Sequence, residues 1–580
     1  MGGFWRALCV AIGLLAFVPA AAAAAPTAPL GQQGRWLTDA RGRVVVLHGL
    51  NMVYKRPPYA PVAAGFDAAD ARFLRREGFN TVRLGLIYKG VEPSPGHYDD
   101  AYLTQIAKSV SALSREGIFT LLDFHQDLYN ERFQGEGWPD WAVQDDGLPA
   151  QPQSGFPGNY FAMPALNRAF DHFWNNDPGP GGVGLQDRYA AAWRHVADRF
   201  RREPRLLGYD ILNEPWPGDG WQTCANPEGC PQFDQQKLTP FSRRVTDAIR
   251  QVDGRNIVWY EPNVIFNAGA KSAHGDTGDR AGMSFHQYCV NGTSCGPLET
   301  LPFENADAQS QRTGDALLLS EFGATDDLAS IRRTIENADA HMISWQEWHY
   351  CQCDDPTTTG GGPTQALVID PKRPPSGSNL KADKLAVLAR PYPQAVAGTP
   401  KAFGYDSSTG RFTLSYASAR LGGGRFRFRA DTQVRMPKRL YTKGYDVSVN
   451  GGEAISLSNA SSLHVRTCRG RKDVSVIVTR GSGKVRGDCA ATREIKLTVR
   501  PGRATAGRLT RFRFRATVIR GGKRRAVRGA LIRFAGHRAR TDRRGRAGLR
   551  LRLGRAGKRA ARAGKKGLVG GKASVRVRRR

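Results

Sequence analysis

Between about residues 44 and 350, short apolar, β-branched runs alternate with stretches whose apolar residues recur at helical spacing. The runs are Val44–Asn51, Thr81–Tyr88, Phe119–Asp127, Leu206–Glu214, Ile257–Asn263, Met283–Cys289, Ala316–Phe322 and His341–Tyr350. The helical stretches include Ala68–Glu77, Tyr102–Glu116, Asp187–Arg202 and Phe233–Gln251. Strand-then-helix alternation predicts a parallel sheet. Eight such units predict an α/β fold closed as a (β/α)8 TIM barrel, here given residues 30–391.

Alternation within the runs predicts which side chains enter the barrel. In Thr81–Tyr88, Val82, Leu84 and Leu86 share one face, and Thr81, Arg83 and Gly85 the other. In Phe119–Asp127, Leu122 and Phe124 oppose Asp123, His125 and Asp127, and in Met283–Cys289 Phe285 opposes Ser284, His286 and Tyr288. The two-residue period of a strand therefore aims polar groups into the lumen near the C-terminal strand ends, where this fold does its chemistry. A solvated edge strand would alternate in the same way. The segment 128–186 is long and holds Trp138, Trp141, Phe156, Tyr160, Phe161, Phe170, Phe173 and Trp174, which suits a loop that shapes a cleft.

The helical period stops near residue 392. Short alternating runs follow, at Arg411–Tyr416, Arg425–Arg429, Ser462–Arg466 and Val474–Val478, and predict an antiparallel β-sandwich over 392–500. Alternation continues in 501–580 through Arg511–Ile519, Ala530–Phe534 and Gly548–Leu553, with Arg or Lys at nearly every polar position. This predicts a small basic Ig-like β-domain with a frayed end; a disordered tail is the other reading.

Charge sharpens that division. The 580 residues hold 85 Lys and Arg against 52 Asp and Glu, a net of +33. Residues 491–580 alone contribute 32 bases and two acids, Glu494 and Asp542, so the preceding 490 residues are almost neutral at +3. A basic isoelectric point here describes one segment and does not make the whole chain a nucleic-acid binder.

The N-terminus carries Arg6, an apolar run from Ala7 to Val18, then Pro19 and the small residues Ala20 to Ala25. That is the layout of a secretory signal over 1–25, and the run is short for a membrane anchor. Secretion, with association to the cell envelope, is the expected location. Eight cysteines remain after Cys9, in near-neighbour pairs that suit disulfides in an oxidising compartment. The expected pairs are Cys224–Cys230, Cys289–Cys295 and Cys468–Cys489; Cys351 and Cys353 stay open, since one intervening residue makes an unstrained bridge difficult. A zinc site is disfavoured because His and Cys do not cluster at ligand spacing. The Asn291-Gly292-Thr293 sequon is read as chance.

Glu214, in Asn213-Glu214-Pro215, ends the fourth run, and Glu321, in Ser320-Glu321-Phe322-Gly323, ends the seventh. They are 107 residues apart, three β/α units of ordinary size. Strands four and seven face each other across an eight-stranded barrel, so two carboxylates can meet over its mouth, as glycoside hydrolysis needs. Glu261 also ends a strand and is expected to stand behind the pair or to be structural. No phosphate-cradling glycine motif or metal-ligand pattern appears, so no cofactor is expected.

Together Asn213-Glu214-Pro215, Ser320-Glu321-Phe322-Gly323, His286-x-Tyr288, Arg83, His125 and Trp348 resemble glycoside hydrolase family 5. Asn51 to Tyr59, His125-Gln126-Asp127, Pro139-Asp140-Trp141 and Arg390 to Gln394 resemble its endoglycoceramidases, which cut between the glycan and the ceramide of glycosphingolipids. The resemblance covers about residues 35–495 and stops before the basic segment. It implies that Glu214 is the acid/base, with a pKa raised by its neighbour, and that Glu321 is the ionised nucleophile of a retaining reaction. Arg83 and Tyr288 would orient Glu321, and Asn213 would hold the sugar 2-OH. His125 and His286 would line the sugar subsite, with His286 also tuning the acid/base, and Trp348 would lie under the sugar ring, a place for which Trp345 competes. Lys55, Asp127 and Trp141 would bind other sugar groups. Taken singly, each has a structural reading, as an ion pair for Arg83, a core histidine for His125 or barrel packing for Trp348.

The expected substrate is a glycosphingolipid or another β-glycoside, with galactosylceramide-type lipids as a close variant. The apolar half of the cleft is expected from the 128–186 loop and from the region between strands six and seven. An endo-β-glucanase acting on polysaccharide is the enzymatic alternative, and a non-enzymatic cationic envelope-binding protein the other. The chain is expected to act as a monomer. The basic segment is expected to meet an anionic membrane or envelope surface; nucleic acid is disfavoured, because its aromatics, Phe512, Phe514 and Phe534, fall in strand-core rhythm.

Overall fold

The structure, a computed structural model, describes residues 26–288, 295–358, 362–427, 430–487, 489 and 493–579. Eight parallel strands close into a barrel: β1 (His48–Met52), β2 (Thr81–Ile87), β3 (Phe119–His125), β4 (Leu206–Asp210), β5 (Ile257–Tyr260), β6 (Ala281–Gln287), β7 (Ala316–Phe322) and β8 (Ser344–Glu347). Each overlaps one of the eight runs: β7 coincides with its run, β1 extends one residue past Asn51, β6 begins two residues before Met283, and the others are trimmed. β4 stops at Asp210 and β8 spans only four residues, so Glu214 sits in the loop beyond its strand.

Local chemistry sets the outer helices. Asp67 caps helix Ala68–Glu77 through a capping box with Asp70, and Gly78, at φ 115°, closes it in the left-handed region that glycine adopts without a Cβ clash. Asp99 caps helix Asp100–Glu116 by accepting from the Tyr102 amide.

The lumen is graded from floor to mouth. At the floor Phe119, Leu121, Trp259 and Leu318 are buried together, joined by Leu30, Leu37 and Leu47 from the N-terminal segment. Two residues further along the same strand face lie Asp123 and then His125 on β3. The face that is apolar at the floor thus becomes charged at the mouth.

The sandwich consists of a four-stranded and a five-stranded sheet, all antiparallel except Val485–Gly487, which runs parallel to Tyr445–Asn450. It meets the barrel at the floor. Tyr392 stacks on His48 at 3.8 Å between ring centres, its hydroxyl donates to the Gly78 carbonyl at 2.9 Å, and Val396 pairs with Val44. Of the strand expected at Arg425–Arg429, the described residues 425–427 show only an isolated bridge from Arg425 to Ala419, and residues 428–429 lie outside the described residues. Beyond the sandwich, nine strands between Lys496 and Arg578 build two further sheets over a core containing Ile495, Phe512, Phe514, Ile532, Phe534 and Val575.

Disulfides join Cys224 to Cys230, Cys468 to Cys489, and Cys351 to Cys353, closing the pair that spacing left open. The expected Cys289–Cys295 bridge, the 291–293 sequon and the 1–25 signal all involve positions outside the described residues. Among the described residues no helix is long and apolar enough to cross a membrane.

Candidate active site

Arg83, fully buried in the middle of β2, organises the mouth. Its Nε donates to Asp210 at 2.8 Å, and Nη2 lies 2.9 Å from Asp123, Glu261 and the Asn213 side-chain oxygen. Its Nη1 donates to Glu321 Oε1. Burial opposes the charge, but these four carboxylates hold the guanidinium well above its ordinary pKa. The strand-face reading placed Arg83 in the lumen, and the ion pairs are the consequence.

Glu214 and Glu321 converge as expected. Their facing oxygens and the His286 ring nitrogen between them all lie within 4.8 Å of one another. His286 Nδ1 is 2.8 Å from Glu214 Oε1 and 3.5 Å from Glu321 Oε2, and its Nε2 is 3.2 Å from Glu261 Oε1. Burial disfavours a charged imidazole, yet Glu261 and Glu321 raise its pKa well above the usual value, which favours the form with a proton on both ring nitrogens. Glu321 has both oxygens engaged, Oε1 by Arg83 and Oε2 by the Tyr288 hydroxyl at 2.9 Å. Burial pushes the Glu321 carboxyl up to about 7; His286 and Arg83 pull it down, and Glu214 and Glu261 add to the rise.

Glu214 is held differently. Its backbone takes φ 44°, an uncommon conformation for a residue with a Cβ. The Glu214 amide donates to Glu261 Oε2 at 2.9 Å, and its carbonyl accepts from Gln126 at 3.1 Å. Glu214 Oε1 accepts from Asn267 at 2.8 Å as well as from His286.

A second polar cluster lies beside the pair. Lys55, fully buried, reaches Asp127 at 2.6 Å, Asp355 at 3.1 Å and Glu136 at 3.8 Å. His125 Nδ1 is 2.9 Å from Asp123, which fixes the proton there and leaves Nε2 as a bare acceptor. Burial, with Lys55 and Arg83 adding to it, lowers the His125 pKa to about 4, so the ring stays neutral. His125–Asp127–Glu136 and Glu214–His286–Glu321 both have donor spacing that a metal ion could use, and in each a protein cation already sits among the carboxylates.

These groups line a cleft with a cavity of about 270 Å³. Lys55, His125, Asp127, Asn213, Tyr288 and Trp348 border it with the two glutamates. Trp348 is the tryptophan at the cleft, its indole fixed by Gln365 at 2.9 Å, whereas Trp345 packs on His48 near the floor. Three expectations are corrected. His286 is fully buried and does not border the cleft; it contacts the two glutamates and does not line the sugar subsite. Trp141 does not border the cleft: its indole donates to the Glu92 carbonyl at 3.1 Å and packs edge-on against Tyr88, behind the barrel wall. The apolar wall is built by Phe156, Tyr160 and Phe161 of the long loop, Trp216 after β4, and Val264 and Ile265 after β5. Between β6 and β7, Leu298 is its main described apolar contribution. Trp138, Phe170, Phe173 and Trp174 are instead buried in the core beneath.

Asn267 was not expected from the sequence, whereas Glu261 stands behind the pair, one of the two places expected for it. Asn267 sits in a short 3₁₀ turn with no motif around it. Glu261 proves central, contacting Arg83, His286 and the Glu214 amide at once; its place at the end of β5 was the available signal.

Residues 38–354 match the Cellulase family (glycosyl hydrolase family 5), and residues 390–478 match the glycoside hydrolase family 5 C-terminal domain. The chain belongs to glycoside hydrolase family 5 and is a glycosidase. Within that family it is homologous to endoglycoceramidases. It is 32% identical over 461 residues to endoglycoceramidase I of Rhodococcus hoagii (strain 103S), covering 75% of this chain and 85% of that protein. It is 30% identical to the endoglycoceramidase of Cyanea nozakii, covering 72% and 86%. Endo-glycoceramidase II from Rhodococcus sp., solved as a lactosyl-enzyme intermediate, superposes with a TM-score of 0.64 at 29% identity, covering 77% of this chain and 99% of that one.

Proposed function

We propose that this enzyme hydrolyses the bond between oligosaccharide and ceramide in glycosphingolipids, with retention of configuration. The observation that carries the reading is the two-sided cleft, with paired carboxylates and hydrogen-bonding groups on one side and an aromatic and aliphatic wall on the other. A glycolipid presents one hydroxyl-rich and one greasy half to such a cleft, whereas a polysaccharide presents hydroxyls to both. The lactosyl-enzyme intermediate of the Rhodococcus relative supports a covalent route. The carboxylate separation supports it too, since retaining enzymes hold the pair at about 5–5.5 Å.

In the first half-reaction the proton on Glu214 passes to the ceramide oxygen as the anomeric C–O bond breaks, and Glu321 forms an ester with the anomeric carbon. Arg83 and Tyr288 aim Glu321, and Arg83 with His286 opposes the burial that raises its pKa. His286 and Asn267 hold Glu214 through Oε1. In the second half-reaction water gives a proton to Glu214 while its oxygen displaces Glu321. Asn213, His125, Asp127 and Lys55 bind sugar hydroxyls, and Trp348 lies under the ring.

Incubation with a ganglioside and, separately, a soluble β-glucan tests this. Intact oligosaccharide and ceramide are expected from the first. Turnover of glucan alone would overturn the reading in favour of an endo-β-glucanase.

The same reading makes the enzyme secreted, on the strength of the N-terminal segment and of disulfides suited to an oxidising compartment. N-terminal sequencing of material exported by an expressing cell is expected to begin after Ala25; material retained in the cytoplasm at full length would contradict it.

A further inference from the structure

The basic C-terminal domain arranges its charge in a way that solubility does not require. Across one sheet, Arg538, Arg533, Arg562 and Lys572 sit directly opposite one another on four adjacent strands, all exposed. Adjacent strands lie about 4.8 Å apart, so this is a straight row of four cations. On the other sheet, Arg511, Arg513 and Arg515 of strand Leu509–Arg520 alternate with Phe512 and Phe514, which point into the core. Arg511 faces Arg550, Arg513 faces Arg500 and Arg515 faces Arg546 on the flanking strands. Like charges placed directly opposite destabilise a sheet. Among the described residues no acidic side chain forms an ion pair with any of these cations. Asp542, the lone acid beyond Glu494, instead accepts backbone amides of a turn at Arg544 and Arg546. Residues 491–580 hold 26 arginines against six lysines, and the arginine fork fits phosphate oxygens in pairs.

Three observations narrow the partner. Both outer faces are cationic, whereas a bilayer plane engages one face at a time and a chain can follow both. The three phenylalanines are buried, so neither face offers the aromatic anchors of membrane-surface proteins or the stacking platforms that hold bases. The domain is bonded to the sandwich, through Ser458–Gly522, Arg493–Glu453 and Arg466–Glu494, and the sandwich is seated at the barrel floor, opposite the cleft. Docking there leaves the mouth free.

We propose that this domain is a docking module for a linear phosphate-bearing polymer, gripped through its backbone charges. The inference does not depend on the substrate reading above. Retention of the full chain on immobilised inorganic polyphosphate tests it, against vesicles of phosphatidylcholine with an anionic phospholipid and against duplex DNA. Retention on polyphosphate is expected, with affinity falling linearly as salt rises on logarithmic axes. The triple variant Arg533→Ser, Arg562→Ser, Lys572→Ser is expected to lower that slope by about 2, from about 0.7 per phosphate contact on a flexible strand. The variant Arg511→Ser, Arg513→Ser, Arg550→Ser on the opposite face is expected to do the same, with the melting temperature of each variant showing that it folds. No retention on polyphosphate, a slope unchanged in both folded variants, or tighter binding to vesicles or duplex DNA at equal phosphate concentration would overturn the proposal.

Discussion

Replacing Glu261 with Gln probes the account at a residue that is absent from the cleft lining. Its carboxylate accepts from three donors, the Arg83 guanidinium, the His286 imidazolium and the Glu214 amide. A glutamine keeps the shape but turns one oxygen into a donor, which then faces another donor in a buried site. Losing a charge-assisted bond of this kind costs about 1.5–3 kcal/mol. If that cost falls on the transition state, kcat drops about 10- to 150-fold. The Glu214 amide is the part at stake, because its hydrogen bond to Glu261 helps hold the strained φ that aims the acid. KM should change little, since the sugar-facing groups stay in place. A second consequence has a definite sign. Among the groups that raise the His286 pKa, Glu261 is the largest, so the variant lowers it. A neutral His286 no longer favours the ionised form of Glu321; losing the Glu261 charge acts the other way, but His286 is the largest charged influence on Glu321 and Glu261 the smallest, so the Glu321 pKa rises. Activity that needs ionised Glu321 is present above that pKa and lost as pH falls through it, so the acid limb of kcat/KM moves to higher pH. Initial rates on a soluble aryl β-lactoside across pH measure both effects. A kcat within twofold of wild type and an unmoved acid limb would refute the positioning role.

Other outcomes follow from the same geometry. Glu321→Gln is expected to abolish turnover with an unchanged melting temperature, and surviving activity would remove it as nucleophile. Phe161→Ala, which trims a half-exposed ring of the apolar wall, is expected to raise KM for ceramide-bearing substrate about 5- to 30-fold, from about 1–2 kcal/mol of lost apolar contact, and to leave the aryl lactoside unaffected. Lys384→Met strands the buried Glu347, now paired with it at 2.7 Å, and is expected to cost about 3–5 kcal/mol in urea unfolding near pH 8. Burial already holds Glu347 up to about 7, so the loss should shrink as pH falls and the carboxyl takes a proton; an equal loss at pH 5.5 would contradict that cause.

Barrel and carboxylate pair were legible because two strong periodicities carry them. Strand parity put Arg83, Asp123 and His286 in the lumen, and the burial and contacts of those residues follow from it. The two carboxylate motifs sit at or just past strand ends, where sequence position and spatial position nearly coincide. What stayed illegible lies in loops. Asn267 reaches Glu214 from a turn whose path is set by packing and by no local pattern. Trp141 lies in Pro139-Asp140-Trp141, read as resembling the endoglycoceramidases, yet its indole found the Glu92 carbonyl, a partner 49 positions away that no periodicity reveals. The aromatics of 128–186 split between core and cleft according to tertiary contacts, which composition alone does not separate.

The most direct test of the central claim is proton NMR of the sugar first released from lactosylceramide, taken before mutarotation. Attack by Glu321 followed by attack of water from the opposite side predicts intact β-lactose. An initial α-lactose signal, or release of galactose alone, would contradict the account.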